Sequence, residues 1–547
     1  RRSSATVAAS TTPALSGIHH ITAITARVQA NVDFYAGFLG LRLVKQTAGF
    51  ADGEQLHLFY GDAAGSPGSL VSFLVWEAGA RGRTGHGQVF EFALAVPASS
   101  IGDWLARALK AQIPVQGPTR EFGEPVLRLR DPDGVIVKLV GVDLPATAPL
   151  PDPIAPTRLR GVTLLSDTVD ASAAFLSLFG YGEGRVEGAV TRLVSDRDVI
   201  DLRAASGFVP AIPGTGMIDH VAFRAPDVQA VRTMRRELGT AQGLTEVHDR
   251  RYFLSLYVRE PGGHLIEYAT DGPGLAVDET LEELGSTLVF PPHDAARVED
   301  LRVMLPQFAL PDEERTPIRD LPFIHRFHTP ADPDGSIIVL LHGTGGNEAD
   351  LMPLAHRIAP RATLLGVRGR ATEEGTNRWF RRFDAGTFDQ ADIRAEAEAF
   401  NGFMMAAIRS YSLDAGRITY LGYSNGANLL GAAMVLFPGL VRRAVLLRGG
   451  SVLEEVPGAD LTGADLTGAD LTGADPTGAE VLLLSGADDP FARMAPALAD
   501  ALRKAGATLD ARTLPAGHAL GAADAQLAKV WLEQRMSGGG REAGRDG

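Results

Sequence analysis

Residues 217 to 223 read Met217-Ile218-Asp219-His220-Val221-Ala222-Phe223, and residues 263 to 268 read Gly263-His264-Leu265-Ile266-Glu267-Tyr268. In both segments apolar and β-branched residues alternate with polar ones between glycine or proline, which predicts two strands. Side chains two residues apart on a strand share a face. His220 and Glu267 can therefore project together from one face of a sheet.

The order of elements in this segment occurs four times in the first 308 residues. The first copy predicts a strand at 17–25, a helix from Val32 to Gly40, and short strands near 42–48, 55–60 and 70–76. The same order begins again at Val89, Leu159 and Met217, with helices near 98–110, 170–179 and 227–238. A repeat of this kind indicates one supersecondary unit used four times.

A metal site is the central functional hypothesis for these repeats. The first strand carries His19 and His20, so a third candidate ligand accompanies His220 and Glu267. Two histidines and one carboxylate with open coordination positions favour non-haem Fe(II) and oxygen chemistry. Mn(II) accepts the same ligands, so the pattern leaves the metal open between the two.

The repeats resemble the vicinal oxygen chelate superfamily, which includes glyoxalases, bleomycin resistance proteins and extradiol dioxygenases. Within it, they are most similar to hydroquinone-type ring-cleaving dioxygenases. The resemblance covers roughly residues 16–308 and rests on the segments 17–24, 219–223, 249–257 and 260–267. It implies an α+β fold of four βαβββ units around a metal.

The same resemblance implies roles for individual residues. His20, His220 and Glu267 would bind Fe(II), O₂ would be the co-substrate, and His19, Arg250 and Tyr257 would line the site of an aromatic substrate. Arg250 would hold an anionic oxygen through its forked donors. His19 or Tyr257 would move protons. Two alternatives stay open: a glyoxalase-type isomerase, and a small-molecule-binding module without catalysis.

The repeats also predict one metal and not two. Aligning them places Glu91 opposite His220, Lys138 opposite Glu267, and Gly161 at the position of the first-strand histidine. A lysine ammonium cannot coordinate a cation and repels it. The other histidines of this region have no such partners in the repeats and are expected at the surface or behind the ligands: His57, His86, His248 and His264.

A second enzyme is predicted after residue 321. Ser336–Leu341 is a continuous apolar strand typical of a buried parallel sheet, and it leads into His342-Gly343-Thr344-Gly345-Gly346. Gly422-Tyr423-Ser424-Asn425-Gly426 lies between a strand and an apolar helix, as a nucleophile elbow requires. Asp489 follows a third strand, and His518 comes after it.

These residues predict a serine hydrolase. Ser424 is the expected nucleophile, His518 the base and Asp489 its orienting carboxylate. The backbone N–H groups of Thr344 and Asn425 would stabilise the oxyanion. Residues 322–535 resemble the small carboxylesterase/phospholipase family of α/β-hydrolases, which implies a mainly parallel, doubly wound sheet and no cofactor. It favours Asp489 over Asp488 and implies a substrate-lining loop at 378–383.

The composition of the chain limits the classes of molecule that it is expected to bind. The net charge of −14, without a basic run, argues against nucleic acid. No stretch of about 18 apolar residues suggests a membrane span. The absence of cysteine excludes disulfides and is compatible with a cytoplasmic location. The expected partners are a small aromatic molecule and an ester; the sequence leaves a homo-oligomer open.

The predicted organisation has two repeat domains and one hydrolase domain. Residues 458–480 repeat Gly-Ala-Asp-Leu-Thr with period five, which resembles pentapeptide-repeat proteins, and are expected to form a surface loop. The predicted segments are a disordered leader at 1–15, repeat domains at 16–148 and 158–308, a linker at 309–321, the hydrolase at 322–535 and a flexible tail at 536–547. The sequence therefore predicts a bifunctional enzyme, in which the hydrolase either acts on the dioxygenase product or is an unrelated esterase.

Overall fold

A computed structural model of the chain describes residues 16–315, 319–456 and 478–538. The predicted leader, residues 458–477 of the predicted insert and the tail after 538 lie outside this range. The chain divides into two compact units, Arg1–Val298 with Phe308–Arg315, and Glu299–Gln307 with Thr316–Gly547. The linker predicted at 309–321 remains a prediction.

The first unit contains four βαβββ modules, as the sequence predicts. Their strands are β1 (Ile18–Thr25), β2 (Arg42–Ala48), β3 (Leu56–Gly61), β4 (Leu70–Val75), β5 (Gln88–Val96), β6 (Val115–Glu121), β7 (Glu124–Arg130), β8 (Ile136–Gly141), β9 (Arg158–Ser166), β10 (Gly182–Glu187), β11 (Val190–Val194), β12 (Val199–Ala204), β13 (Ile218–Ala225), β14 (His248–Asp249), β15 (Phe253–Arg259) and β16 (Leu265–Pro273), and a further strand is β17 (Leu288–Val289). Their helices are α1 (Val28–Val32), α2 (Ile101–Lys110), α3 (Val169–Leu176) and α4 (Val228–Leu238).

The first helix starts earlier than the sequence predicts. Helix α1 begins at Val28 and continues as a π-helix over Asp33–Phe38. Val28 and Val32 are both buried, so the apolar stripe that packs on the sheet starts one turn before the predicted start. The other three helices lie within or close to their predicted ranges.

The modules pair the first with the fourth and the second with the third. Strands β1 and β13 are antiparallel neighbours, which gives the strand order β2-β3-β4-β1-β13-β16-β15-β14. Strands β5 and β9 join the middle modules in the matching order β6-β7-β8-β5-β9-β12-β11-β10. The two outer modules, far apart in sequence, therefore build one sheet face together.

The second unit is a doubly wound α/β domain. Its strands are β18 (His325–His328), β19 (Ile337–Leu341), β20 (Thr363–Val367), β21 (Ala371–Glu373), β22 (Thr376–Arg378), β23 (Ile418–Tyr423), β24 (Arg443–Leu447), β25 (Glu480–Gly486) and β26 (Thr508–Leu514). The remaining helices are α5 (Val298–Met304), α6 (Met352–Ile358), α7 (Gln390–Ser410), α8 (Asn425–Leu436), α9 (Ala495–Lys504) and α10 (Ala522–Gly538).

The main sheet of this unit has the order β18-β20-β19-β23-β24-β25-β26 and is parallel except at β18. Helices α7, α8 and α9 cover one face and α6 and α10 the other, each over its own apolar core. In such a sheet, functional side chains gather at the carboxyl ends of the strands. Across the described parts of the chain, every helix is too short or too polar to cross a membrane.

Candidate active sites

Three neighbouring strands bring the predicted metal ligands together. His20 on β1 lies opposite Ala222 on β13, and Ala222 lies beside Glu267 on β16. His220 is two residues before Ala222 and therefore shares its face. The Nε2 atoms of His20 and His220 lie 3.1 Å and 3.0 Å from Oε2 of Glu267. All three side chains are buried.

The charges of this trio fit a bound cation. Burial raises the pKa of the Glu267 carboxyl, but the charge of His20 and the close approach of both imidazoles hold that pKa well below its usual range. Burial lowers the pKa of His220, but Asp219 and Glu267 raise it to about 9. Both oxygens of Glu267 and Nε2 of His220 lack a well-formed hydrogen bond among the described residues. A divalent cation would satisfy these atoms at once.

Asp219 is a residue of this site that sequence reasoning misses. Its carboxylate oxygen lies 2.7 Å from Nδ1 of His220. A partner on Nδ1 fixes the ring so that Nε2 faces the trio, as is usual for metal-binding histidines. Period-two alternation places consecutive strand residues on opposite faces, so the sequence offers no signal for this contact.

A cavity of about 280 Å³ opens above the trio. Its volume suits a single substituted ring, and its apolar wall consists of Phe50, Phe59, Leu74, Phe253, Phe290 and Pro291. Arg250 and Tyr257 line it, as the resemblance implies. The guanidinium of Arg250 lies 5.4 Å from the ring centres of both Phe50 and Tyr257. Among the described residues it has no carboxylate within ion-pair distance, so its charge is available to a ligand.

Tyr257 and His19 differ in their relation to this cavity. Burial and the charge of Glu267 raise the pKa of Tyr257 far above its usual range, so its hydroxyl stays protonated and can donate. His19 does not line the cavity, contrary to expectation. The register of β1 shifts between Ile18 and His20, and Nδ1 of His19 lies 2.9 Å from Nδ1 of His20. His19 therefore contacts a ligand rather than the cavity.

In the two middle modules, an ion-pair network occupies the corresponding place. The ammonium of Lys138 lies 3.5 Å from Glu91, 3.2 Å from Glu121 and 3.6 Å from Asp201. A side chain at Gly161 would meet the carbonyl oxygen of Val199 at 2.3 Å, so this position cannot carry a ligand. Lysine supplies the positive charge that these carboxylates require.

In the second unit, the predicted triad residues meet at the carboxyl ends of β23, β25 and β26. Nε2 of His518 lies 2.9 Å from Oγ of Ser424, and Nδ1 of His518 lies 2.9 Å from Oδ2 of Asp489. Asp488 is exposed and makes no such contact, while Asp489 is buried. These distances fit a nucleophile, a base and an orienting carboxylate.

The backbone of Ser424 has the strained geometry of a nucleophile elbow. Its φ is 49° and its ψ is −115°, at the start of helix α8. A Cβ at Gly426 would lie 2.1 Å from the carbonyl oxygen of Leu341, so only glycine allows this close approach. The first N–H groups of a helix have no acceptor within it, which leaves the N–H of Asn425 for an oxyanion.

A short segment, Asn377-Arg378-Trp379, braces both predicted oxyanion donors. Arg378 donates from Nη1 to the hydroxyl of Thr344 (2.9 Å), and the backbone N–H of Trp379 donates to the amide oxygen of Asn425 (2.7 Å). The side-chain amide of Asn377 donates to the carbonyl of Gly346 (2.9 Å). The resemblance implied a substrate-lining loop at 378–383, whereas Arg378 and Trp379 are buried and Phe383 is exposed.

Arg448 holds the loop that carries His518. It forms a buried, two-pronged ion pair with Asp524 and donates from Nε to the carbonyl of Gly517 (2.8 Å). Tyr423 donates to the carbonyl of His518 (3.0 Å). These contacts join residues distant in sequence, so no local pattern predicts them.

The first unit is similar to known proteins over most of its length. Residues 17–139 match the family model of the Glyoxalase/Bleomycin resistance protein/Dioxygenase superfamily. MhqO of Bacillus subtilis, named as a "Putative ring-cleaving dioxygenase", is 37% identical over 309 residues, which cover 55% of this chain and 97% of that protein. The chain belongs to the Glyoxalase/Bleomycin resistance protein/Dioxygenase superfamily. Chlorohydroquinone/hydroquinone 1,2-dioxygenase of Sphingobium indicum is 31% identical over 310 residues, covering 53% of this chain and 95% of that enzyme.

The second unit and the insert have relatives of their own. A carboxylesterase of Mesorhizobium loti with a crystal structure is 40% identical; the match covers 40% of this chain and 99% of that one, with a TM-score of 0.36. Residues 457–480 match the model of pentapeptide repeats. The ring-cleaving dioxygenase relatives thus cover the first unit, whose predicted fold is confirmed. In the second unit, the sheet order and the distances among Ser424, His518 and Asp489 are those of a serine hydrolase with the predicted α/β fold.

Proposed function

We propose that the first unit is an Fe(II)-dependent, extradiol-type dioxygenase that opens hydroquinone- or catechol-like rings, and that the second is a carboxylesterase-type hydrolase. The observation that carries the first part is the buried trio His20, His220 and Glu267 at the floor of an aromatic-walled cavity. Such a ligand set leaves positions open for substrate and O₂. The superfamily relative that acts on hydroquinone supports the choice of ring.

Bound Fe(II) would link the ring electronically to O₂; the surrounding residues bind and orient the substrate. Arg250 pairs with an anionic oxygen of the ring, since no carboxylate among the described residues neutralises it. Tyr257 donates a hydrogen bond from its protonated hydroxyl. The apolar wall excludes water, which strengthens both interactions. Asp219 and His19 hold the two histidine rings in place.

In the second unit, Ser424 attacks the ester carbonyl while His518 accepts its proton, and Asp489 stabilises the imidazolium that forms. The N–H groups of Thr344 and Asn425 then stabilise the negative charge on the former carbonyl oxygen. His518 returns its proton to the leaving alcohol. A water molecule releases the acyl group by the same steps.

The test of the dioxygenase uses the full chain, purified without oxygen and loaded with Fe(II). The loaded protein should contain about one metal ion per chain and consume O₂ with hydroquinone or catechol. His220→Ala should lose both properties, whereas His86→Ala, a change outside the cavity, should keep them. Full oxygen uptake by His220→Ala would remove the proposed site. Two bound ions per chain would contradict the single-metal assignment.

The same preparation separates the alternatives. A glyoxalase-type isomerase would convert a hemithioacetal without consuming O₂, and that reaction typically uses two acidic ligands where this site has Glu267 alone. A binding module would retain an aromatic molecule without turnover. Replacing Fe(II) with Mn(II) and measuring oxygen uptake decides which metal supports the reaction.

A further inference from the structure

A row of hydrogen-bonded side chains crosses the cavity wall beside the metal ligands. Thr22 on β1 pairs with Ser72 on β4, and their hydroxyl oxygens lie 2.8 Å apart. The Ser72 hydroxyl lies 3.1 Å from Nε2 of His57 on β3. Three adjacent strands therefore carry one continuous chain of polar groups, which no motif in the sequence announces.

The two ends of this row face the cavity, and its middle does not. Thr22 and His57 line the cavity, whereas Ser72 is fully buried and absent from its lining. Thr22 lies two residues beyond His20 on the same strand and directly opposite His220. Both ends of the row therefore border the cavity, and the Thr22 end lies beside the metal ligands.

The hydrogen bonds along this row can run in either direction. A hydroxyl both donates and accepts, and a neutral imidazole donates from one nitrogen and accepts at the other. Ser72 is the one hydrogen-bond partner of His57 among the described residues, so Nδ1 of this cavity-lining residue has no hydrogen bond to them. Burial, together with the charges of His20 and His220, lowers the pKa of His57 to about 3, so the ring stays neutral.

We propose that His57, Ser72 and Thr22 form a proton relay that serves ring cleavage in this cavity. The inference rests on the proposed dioxygenase function. Adding both atoms of O₂ to a dihydroxylated ring gives a product that keeps all of its protons. A proton that leaves a ring hydroxyl must therefore return within the same turnover, and a path inside the cavity suits this need.

In the forward shift, the substrate O–H bond breaks and its proton bonds to Nδ1 of His57, while the electron pair stays on the substrate oxygen. The Nε2 proton of His57 moves to Ser72, the former Ser72 proton moves to Thr22, and the former Thr22 proton bonds to an oxygen atom that originates from O₂. No wall residue gains a net charge. The reverse shift returns a proton to the product and resets the row.

Ser72→Ala tests the relay because it cuts the row without touching the substrate. We expect kcat for oxygen uptake to fall about 10²-fold, the lower end of what general acid–base catalysis contributes. KM and metal content should stay within about twofold of the wild type, and the solvent deuterium isotope effect on kcat should increase. The matched control is Ser255→Ala, since Ser255 is equally buried and its hydroxyl has no hydrogen-bond partner among the described residues.

Thr22→Val, which keeps the shape of the side chain, should lower kcat by a similar factor. The double variant should be no slower than either single variant, because residues that act as a unit are not additive. The ¹⁵N NMR signals of His57 in metal-free protein should report a different tautomer ratio in Ser72→Ala. This measurement does not depend on turnover.

The outcomes separate the relay from the function on which it rests. If the wild type consumes O₂ and Ser72→Ala matches Ser255→Ala in kcat, the relay is wrong and the dioxygenase stands. If Ser72→Ala does not fold, additive losses in Thr22→Val and His57→Gln overturn the relay, and equal, non-additive losses support it. If the wild type consumes no O₂ with any dihydroxylated ring, both proposals fall.

Discussion

Replacing Lys138 by methionine should destabilise the first unit without changing ring cleavage. The Lys138 side chain is 4% exposed and is close to three carboxylates, those of Glu91, Glu121 and Asp201. Methionine keeps the length of the side chain and removes its charge. Glu91 and Asp201 stay buried, with side chains 3% and 5% exposed, so their charges lose compensation.

The size of the effect follows from the partners that remain. Removing one member of a buried ion pair typically costs about 3–5 kcal/mol. Two-pronged pairs from Arg128 to Glu91 and from Arg192 to Asp201 persist, so we expect the lower end, about 3 kcal/mol. In domains of roughly 150–250 residues, 1 kcal/mol shifts Tm by about 2–4 °C. The variant should therefore melt on the order of 10 °C lower.

Lowering the pH should weaken the ion-pair network around Lys138 and so reduce the stability of the first unit. Burial raises the pKa of Glu91, but hydrogen bonds from Arg128 and the charge of Lys138 outweigh it and lower that pKa in the folded state. A lowered carboxyl pKa contributes stability that is present above the unfolded value, near 4.5, and is lost as the pH falls below it. Without Lys138 the Glu91 pKa rises, and acid unfolding should begin at a higher pH.

Thermal unfolding followed by circular dichroism, with oxygen uptake measured below the transition, provides the assay. The control is the double variant Lys138→Met/Glu121→Gln, which removes one positive and one negative charge from the network. It should recover part of the lost stability, because one carboxylate that Lys138 compensated is removed as well and the Glu121 side chain, 28% exposed, can reach solvent. An unchanged Tm would show that the network does not stabilise the fold. Loss of oxygen uptake by folded protein would show that the cavity above His20 is not the active site.

Three further changes test the sites. Asp219→Asn should weaken metal binding by about 10–100-fold, because the His220 ring loses its orienting carboxylate; competition with a chelator measures it, and unchanged affinity would contradict that role. Ser424→Ala should slow hydrolysis of a short activated ester by about 10⁶-fold and leave oxygen uptake unchanged. Mass spectrometry of the ring-cleavage products of this variant and of the wild type shows whether the hydrolase consumes those products. Identical product profiles in the two proteins would show that the two activities are unrelated. Arg378→Met should lower kcat for ester hydrolysis about 10-fold with little change in KM, because Thr344 loses the hydrogen bond that holds it in place. The control Arg382→Met should cause a smaller drop, since the exposed ion pair of Arg382 with Glu373 contributes little. Equal rates in the two variants would contradict this role of Arg378.

The sequence by itself determined the local elements and their chemistry. Period-two alternation predicted which face of its own strand His220 and Glu267 each occupy, so the two side chains could share one sheet face. Glycine and proline marked the turns, and Gly422-Tyr423-Ser424-Asn425-Gly426 announced the nucleophile by its position between a strand and a helix. These signals lie within a few residues of one another, so backbone geometry alone makes them readable.

Only the tertiary structure decided which strands are neighbours. Alternation says that a residue faces one side of a sheet but not which strand lies beside it, so the pairing of β1 with β13 brought His20 to Glu267. The contact of His19 with His20 occurs where the register of β1 against β13 shifts, and His19 is absent from the cavity lining. The row from Thr22 to His57 and the carboxylates around Lys138 likewise depend on strands that meet only after long-range pairing. Such contacts leave no local pattern, because their cause is the packing of distant segments.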